Sequence, residues 1–218
     1  MIKPRICAVI TNNDLTLVTK IEPLADLFEV RIDLIGAGWR KLAENLVKPW
    51  IACNRRKEEG GGWSGSEAGR IKELLSALEL KPAIVDIELA SESLAEVTPQ
   101  IKKKAKCLLS YHDFMDTPPI KDLRDIVKRQ ITLGADICKV VTTAQKFEDN
   151  LTAVQLITDF PKAKVISFAM GPLGHVSRVL CPLVGGEFIY ASIETGRESA
   201  SGQITVSDLR KLYEALKV

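Results

Sequence analysis

Short apolar runs alternate with helical patterns eight times along this chain, and that alternation restricts its fold more than any other feature. The runs cover 5–11, 28–34, 50–54, 83–89, 107–114, 136–142, 164–169 and 188–192. Most are rich in Val, Ile and other β-branched residues with few polar interruptions, as expected of strands buried on both faces. Between and after them, apolar residues recur at helical spacing over 17–24, 39–45, 66–78, 94–104, 120–133, 146–160, 173–180 and 206–216. Two helix starts carry caps, Ser66 with Glu67 behind it and Ser207-Asp208 before the last amphipathic run. Eight strand–helix units within 218 residues predict a (β/α)8 TIM barrel near the small end of its range. A doubly wound open sheet is the alternative, but no G-x-G-x-x-G follows the first strand. No Pro/Gly/Ser linker divides the chain, so residues 1–218 are read as a single barrel domain, with Gly60-Gly61-Gly62 in a long loop after strand three.

Composition excludes several classes of partner. Thirty basic residues balance 28 acidic ones, so no basic field calls for nucleic acid. The lysines at 102–104 read as a solvated helix face. Five cysteines, Cys7, Cys53, Cys107, Cys138 and Cys181, are odd in number and widely spaced, with no C-x-x-C or Cys/His cluster to hold a metal. Buried free thiols in a reducing cytosol are the expectation. Met1-Ile2-Lys3-Pro4 leads straight into the first strand without a signal pattern. No apolar run approaches the roughly 20 residues that span a bilayer. A soluble cytoplasmic protein is expected, without metal, membrane or nucleic acid.

Polar residues then fall where a barrel does chemistry, at the carboxyl ends of strands. Lys139 lies inside Ala135-Asp136-Ile137-Cys138-Lys139-Val140-Val141-Thr142. Desolvation disfavours an ammonium, so a lysine in such a strand can serve as a nucleophilic amine and form Schiff bases with carbonyl substrates. The plainer reading is a strand-end lysine that reaches water or pairs with a carboxylate such as Asp136. Strand two ends in Glu29-Val30-Arg31-Ile32-Asp33, and period two puts Glu29, Arg31 and Asp33 on one inward face. Strand three ends in Asn54-Arg55-Arg56 with Glu58-Glu59 beyond, strand four in Asp86-Ile87-Glu88, strand five in Ser110-Tyr111-His112-Asp113.

Taken singly, each has a structural explanation: an internal Glu29–Arg31 salt bridge, or a hydrogen-bonded structural His112. Five consecutive strands ending this way are better explained by a polar basin holding a nucleophilic amine and a general base. His175 reads as a helix-surface residue. Arg178, near the mouth of a carboxylate-lined basin, suits a bidentate clamp on a substrate carboxylate. Glu198-Ser199-Ala200-Ser201-Gly202-Gln203 is small and polar enough either to close over a ligand or to be a plain surface loop.

With these segments in order, the chain resembles the type I 3-dehydroquinate dehydratases, Schiff-base-forming (β/α)8 lyases of the shikimate pathway. The resemblance is carried by Glu29-Val30-Arg31-Ile32-Asp33, Arg55 through Glu59-Gly60-Gly61, Asp86-Ile87-Glu88-Leu89, Ser110-Tyr111-His112-Asp113-Phe114, Lys139-Val140-Val141, Met170-Gly171 through Ser177-Arg178, and Gly202-Gln203-Ile204. It implies that Lys139 attacks the C3 ketone of 3-dehydroquinate, and that His112 removes the C2 proton and later helps the C1 hydroxyl leave. Glu59 would orient His112. Glu29, Arg31 and Arg55 would bind around the ring hydroxyls, and Arg178 would clamp the carboxylate. Ser199 and Gln203 would cover the substrate. No cofactor is implied, and the family often forms homodimers. The reaction would be a syn elimination, the third step toward chorismate.

Three positions depart from the pattern: Val9 where bacterial members often carry serine, the glycine-rich Gly60-Gly61-Gly62-Trp63, and Ser201 where many have proline. Two rivals stand beside this reading. One is another class I aldolase or transaldolase-type Schiff-base barrel, for which Gly171 and Gly174 could supply a phosphate loop. The other is a non-catalytic barrel binding a small acid, which would need neither Lys139 nor His112.

Overall fold

The computed structural model describes residues 3–218, so Met1 and Ile2, the start of the segment read as leading into the first strand, lie outside the described residues. Eight strands run β1 Ile6–Ile10, β2 Leu27–Arg31, β3 Trp50–Cys53, β4 Ile84–Glu88, β5 Lys106–His112, β6 Ile137–Thr143, β7 Val165–Met170 and β8 Ile189–Ser192. The helices are α1 Leu15–Ile21, α2 Ile32–Ile35, α3 Trp39–Glu44, α4 Glu67–Ser76, α5 Leu94–Lys102, α6 Ile120–Thr132, α7 Asp149–Thr158, α8 His175–Leu183 and α9 Val206–Leu216. Every strand pairing is parallel, in the order β7-β6-β5-β4-β3-β2-β1-β8. Helices flank the sheet outside and side chains fill it inside, which is why the strands are apolar on both faces.

The barrel is nearly closed. No ladder joins β7 to β8, and the Glu187 N–H donates across the seam to the Val165 carbonyl at 3.1 Å. Further up, Phe168 of β7 and Tyr190 of β8 lie with ring centroids 6.4 Å apart, and Phe188 meets Tyr190 edge-on at 5.4 Å. Aromatic volume fills the seam where strand pairing stops.

The register then sets the site. Glu88, Ser110 and Lys139 are lateral partners across β4, β5 and β6, while Arg31, Cys53 and Asp86 are partners across β2, β3 and β4. Inward side chains of neighbouring strands therefore meet in layers.

Two local expectations are corrected. β2 ends at Arg31 and α2 begins at once, so Asp33 is not the third residue of a strand face. From the first turn of α2 its carboxylate turns back to accept from Arg31 Nε at 2.9 Å and Nη2 at 2.6 Å, and from the Arg55 and Gly62 backbone N–H groups at 3.2 and 2.9 Å. Those four donors satisfy it better than continued pairing would. The cap of α9 is Thr205 rather than Ser207-Asp208. Its hydroxyl accepts from the Asp208 N–H at 3.1 Å and donates to the Asp208 carboxylate at 2.7 Å. Ser66 does cap α4, accepting from the Gly69 N–H at 3.2 Å. All five cysteines are buried free thiols. Among the described residues no helix is long and apolar enough to cross a membrane.

Candidate active site

All nine residues singled out in the sequence, Glu29, Arg31, Arg55, Glu59, His112, Lys139, Arg178, Ser199 and Gln203, line a single cleft at the carboxyl end of the barrel. Lys139 rises from the middle of β6 and is only 5% exposed. Its partner is not Asp136, which lies at the opposite end of the strand and accepts from Lys102 Nζ and the Cys107 N–H. Lys139 Nζ instead donates to Asp86 Oδ2 at 3.1 Å, stands 3.9 Å from Glu29 Oε1, and lies 4.0 Å from the centre of the Tyr190 ring.

Asp86 is the hub of the floor. Besides Lys139 it accepts from Arg55 Nη2 at 2.7 Å and from the Ser110 hydroxyl at 2.6 Å. Burial works to raise its carboxyl, but Arg55 and Lys139 outweigh burial and hold it well below the usual carboxylate range. Arg55 continues the chain: its Nη1 donates to Glu88 at 3.0 Å and to Ser110 at 2.6 Å. Glu88 in turn accepts from Arg70 Nη1 at 2.7 Å, which carries the network from the barrel floor into α4. Glu29 is different. Burial raises its carboxyl, and its Oε1 is buried without a hydrogen-bond partner.

His112, the last residue of β5, faces Glu59 with Nδ1 and Oε2 2.8 Å apart. Burial, with Arg55 and Lys139 next, pushes the imidazolium well below the usual histidine range, and burial lifts the Glu59 carboxyl to about 7. A proton on Nδ1 directed at Glu59 leaves the Nε2 lone pair as the basic site. Glu59 reaches this position through a tight turn after β3. A side chain at Gly61 would place its Cβ 2.0 Å from the Arg55 carbonyl oxygen, so only glycine lets the loop fold back here.

Arg178 of α8 is 1% exposed, and burial lowers its guanidinium to about 10. It stacks 4.5 Å over Phe168 and donates Nη2 to the Ser201 carbonyl at 3.0 Å, while Nε has no partner. No carboxylate pairs with it among the described residues. The loop after β8 folds over this arginine. Gly202, at φ +73°, would bring a Cβ within 2.4 Å of the Gly171 carbonyl oxygen. Gln203 Oε1 accepts from the Ser199 N–H at 2.8 Å, which braces the loop across the cleft. His175 lies outside, exposed at the start of α8, with its Nδ1 2.7 Å from the Pro172 carbonyl.

Sequence reasoning noted Asp86 and Glu88 as inward carboxylates without seeing Asp86 as the direct partner of Lys139. Asp86-Ile87-Glu88 was the signal, and only the β4–β6 register identifies the partner. Phe168 and Tyr190, on which the two cations rest, were missed because aromatics in buried strands read as core. The donor atoms of Glu29, Cys53 and Asp86 fall within 4.8 Å of one another. Arg55 and Lys139 already neutralise the carboxylates, and burial raises the Cys53 thiol far above its usual range. The two carboxylates are a counter-charge for two cations of the chain and the neutral thiol is no ligand, so the trio is not a ligand set for a metal ion.

The profile of the type I 3-dehydroquinase family matches residues 6–218. A 3-dehydroquinate dehydratase from Dehalococcoides mccartyi is 42% identical over 213 residues, covering 98% of this chain and 96% of the relative. A 3-dehydroquinate dehydratase structure from Geobacillus kaustophilus superposes with a TM-score of 0.85 at 27% identity, covering 99% of this chain and 91% of that one. The type I enzyme of Clostridium difficile, solved with covalently modified comenic acid, gives a TM-score of 0.86 at 22% identity, covering 98% and 92%.

Proposed function

The chain belongs to the type I 3-dehydroquinase family and converts 3-dehydroquinate to 3-dehydroshikimate and water, a hydro-lyase reaction of the shikimate pathway that proceeds in this family through a Schiff base; on that premise we propose the following roles for its residues. Lys139 is the Schiff-base lysine. The Lys139 ammonium loses one proton so that its Nζ lone pair bonds to C3, that proton and a second one from the nitrogen leave with the carbonyl oxygen as water, and the protonated imine keeps the third. His112 removes a C2 proton through Nε2, and the freed electron pair becomes the C2–C3 double bond of a neutral enamine. The nitrogen lone pair then returns, the C1–O bond breaks, and the same His112 delivers its proton to the departing hydroxyl. Water hydrolyses the conjugated imine and frees the amine.

Glu59 holds the imidazole through the 2.8 Å contact to Nδ1 and stabilises its charged form. The orphan Glu29 Oε1 accepts from a substrate hydroxyl, which supplies the missing partner. Arg31, held by Asp33, and Arg55, held by Asp86 and Glu88, bind around the ring hydroxyls beside Glu29. Arg178 binds the C1 carboxylate, the acid partner that its buried guanidinium lacks among the described residues. Ser199 and Gln203 close the loop over the ring.

The observation that carries this reading is the presence, in one cleft, of the Lys139 amine and the Glu59-paired His112. An arginine binds phosphate as well as carboxylate, so Arg178 does not separate this reading from an aldolase-type barrel; the family match over residues 6–218 does. We further propose that residues 1–218 act as one catalytic domain in the cytoplasm, where the five buried free thiols stay reduced, and that the enzyme is a homodimer, an expectation taken from the family. Sedimentation of the purified chain tests the dimer.

The deciding experiment is reduction with sodium borohydride in the presence of 3-dehydroquinate, followed by peptide mass spectrometry. A reduced adduct on Lys139 is the expected result. An adduct elsewhere, or none while enone absorbance still rises, would remove Lys139 from its role.

A further inference from the structure

Tyr190 lies directly against the nitrogen that the proposed mechanism makes covalent. Its side chain projects from β8 into the barrel, and the ring centre is 4.0 Å from Lys139 Nζ. The edge-on contact with Phe188 and the tilted contact with Phe168 fix the plane of the ring. Its hydroxyl is buried and satisfies no hydrogen bond. Burial, with Glu29 next, keeps the phenol far from ionising, so the ring stays neutral and presents the negative face of its quadrupole to the nitrogen. What meets the Lys139 nitrogen is the ring and not the hydroxyl, and a phenylalanine would present the same face. The feature of Tyr190 that the site uses is its face.

The chemistry at Lys139 explains why a face is useful there. A lysine ammonium carries three N–H donors, and carboxylates such as Asp86 can satisfy them. After condensation the protonated imine carries one N–H and the same positive charge. Hydrogen bonds can then reach only one proton, whereas an aromatic face attracts the charge without needing any. The ring contact is to the nitrogen itself, so it survives formation of the C–N bond.

We propose that Tyr190 is a further catalytic residue whose ring face stabilises the positive charge on the Lys139 nitrogen in the two protonated-imine intermediates, before and after the neutral enamine. This rests on Lys139 as the Schiff-base lysine. The ring favours imine formation and disfavours neither proton transfer by His112 nor carboxylate binding by Arg178.

The test is the rate at which borohydride-trapped adduct forms from 3-dehydroquinate, with kcat/KM and the melting temperature measured alongside. The unaltered enzyme is compared with Tyr190→Phe, Tyr190→Leu, and a variant carrying pentafluorophenylalanine at position 190. The fluorinated ring keeps nearly the same shape but reverses its quadrupole. Tyr190→Phe should trap within about twofold of the parent, and the Leu and pentafluoro variants about tenfold more slowly, in line with a desolvated cation–π contact. If the pentafluoro variant behaves as Tyr190→Phe does, the ring is packing and the proposal is wrong. Should Tyr190→Leu fail to fold, the Phe and pentafluoro pair still decides. Absence of any adduct in the unaltered enzyme would instead overturn the assignment of Lys139, and this one with it.

Discussion

The guanidinium of Arg178 lies 4.5 Å above the ring of Phe168, buried, with no carboxylate to pair with among the described residues. A charge held this way strains the folded state and strengthens binding of an anion, because each N–H that lacks a partner gains one when the substrate carboxylate arrives.

Arg178→Met should therefore separate stability from activity. Methionine can keep contact with Phe168 while removing the unpaired charge, so the melting temperature should rise by about 2–4 °C, the scale of a single favourable core change in a chain of this length. The KM for 3-dehydroquinate should rise about a hundredfold or more. A substrate or product analogue with a carboxylate should raise the melting temperature of the parent and not of the variant. A fall in stability together with unchanged KM would contradict the role given to this arginine.

His112→Ala removes the group that carries the proton in both directions. Turnover should drop about a thousandfold, within the usual range for a positioned acid–base residue. Lys139 should still condense with substrate, so mass spectrometry should find the unreduced imine accumulating on the protein. Full activity would exclude His112 as the base.

Glu59→Gln probes the acid limb of the rate profile. Burial holds the Glu59 carboxyl at about 7 and pushes the His112 imidazolium down, and the two side chains meet at 2.8 Å. Replacing the carboxylate by an amide leaves the imidazolium without its negative partner. His112 should then protonate less readily, the acid limb of kcat/KM should move to lower pH, and kcat should fall about tenfold.

The same shift has a stability consequence of defined sign. For Glu59 the folded value of about 7 lies above its ordinary 4.5, so the folded chain favours the neutral acid. Stability linked to this group is present in full below pH 4.5 and is lost as pH rises through about 7. The glutamine variant escapes that loss. Its melting temperature should exceed the parent's by more at pH 8 than at pH 5, and equal differences at both would contradict the shift.

Gln203→Ala breaks the bond that braces the loop after β8, in which Gln203 Oε1 accepts from the Ser199 N–H at 2.8 Å. Substrate binding and turnover should both weaken, with kcat/KM falling about tenfold, while imine formation on Lys139 persists. Unchanged kinetics would reduce the loop to surface decoration.

The alternation of strand and helix patterns predicted the barrel, because a strand buried on both faces and an amphipathic helix each leave a periodic signature in local sequence. The strand-end members of the cleft, Glu29, Arg31, Arg55, His112 and Lys139, were legible for a related reason, whereas the roles of Glu59, Ser199 and Gln203 came from the family resemblance. Charged groups at the ends of apolar strands, such as Lys139 after Ile137-Cys138 or Glu29 before Val30, contradict their surroundings and so stand out. What the chain alone left open was partnership. Asp136 is three residues from Lys139 in sequence, but the true partner, Asp86, comes from a strand two places away in the sheet. Asp33 continued an inward alternation on paper, and four donors from β2 and the loop after β3 drew it into a helical turn. Phe168 and Tyr190 read as core until the seam between β7 and β8 brought them beneath two cations. Secondary structure and burial are written in residues close together along the chain. Which carboxylate meets which cation, and which cation meets none, depends on barrel register and closure, and those emerge only when distant segments pack.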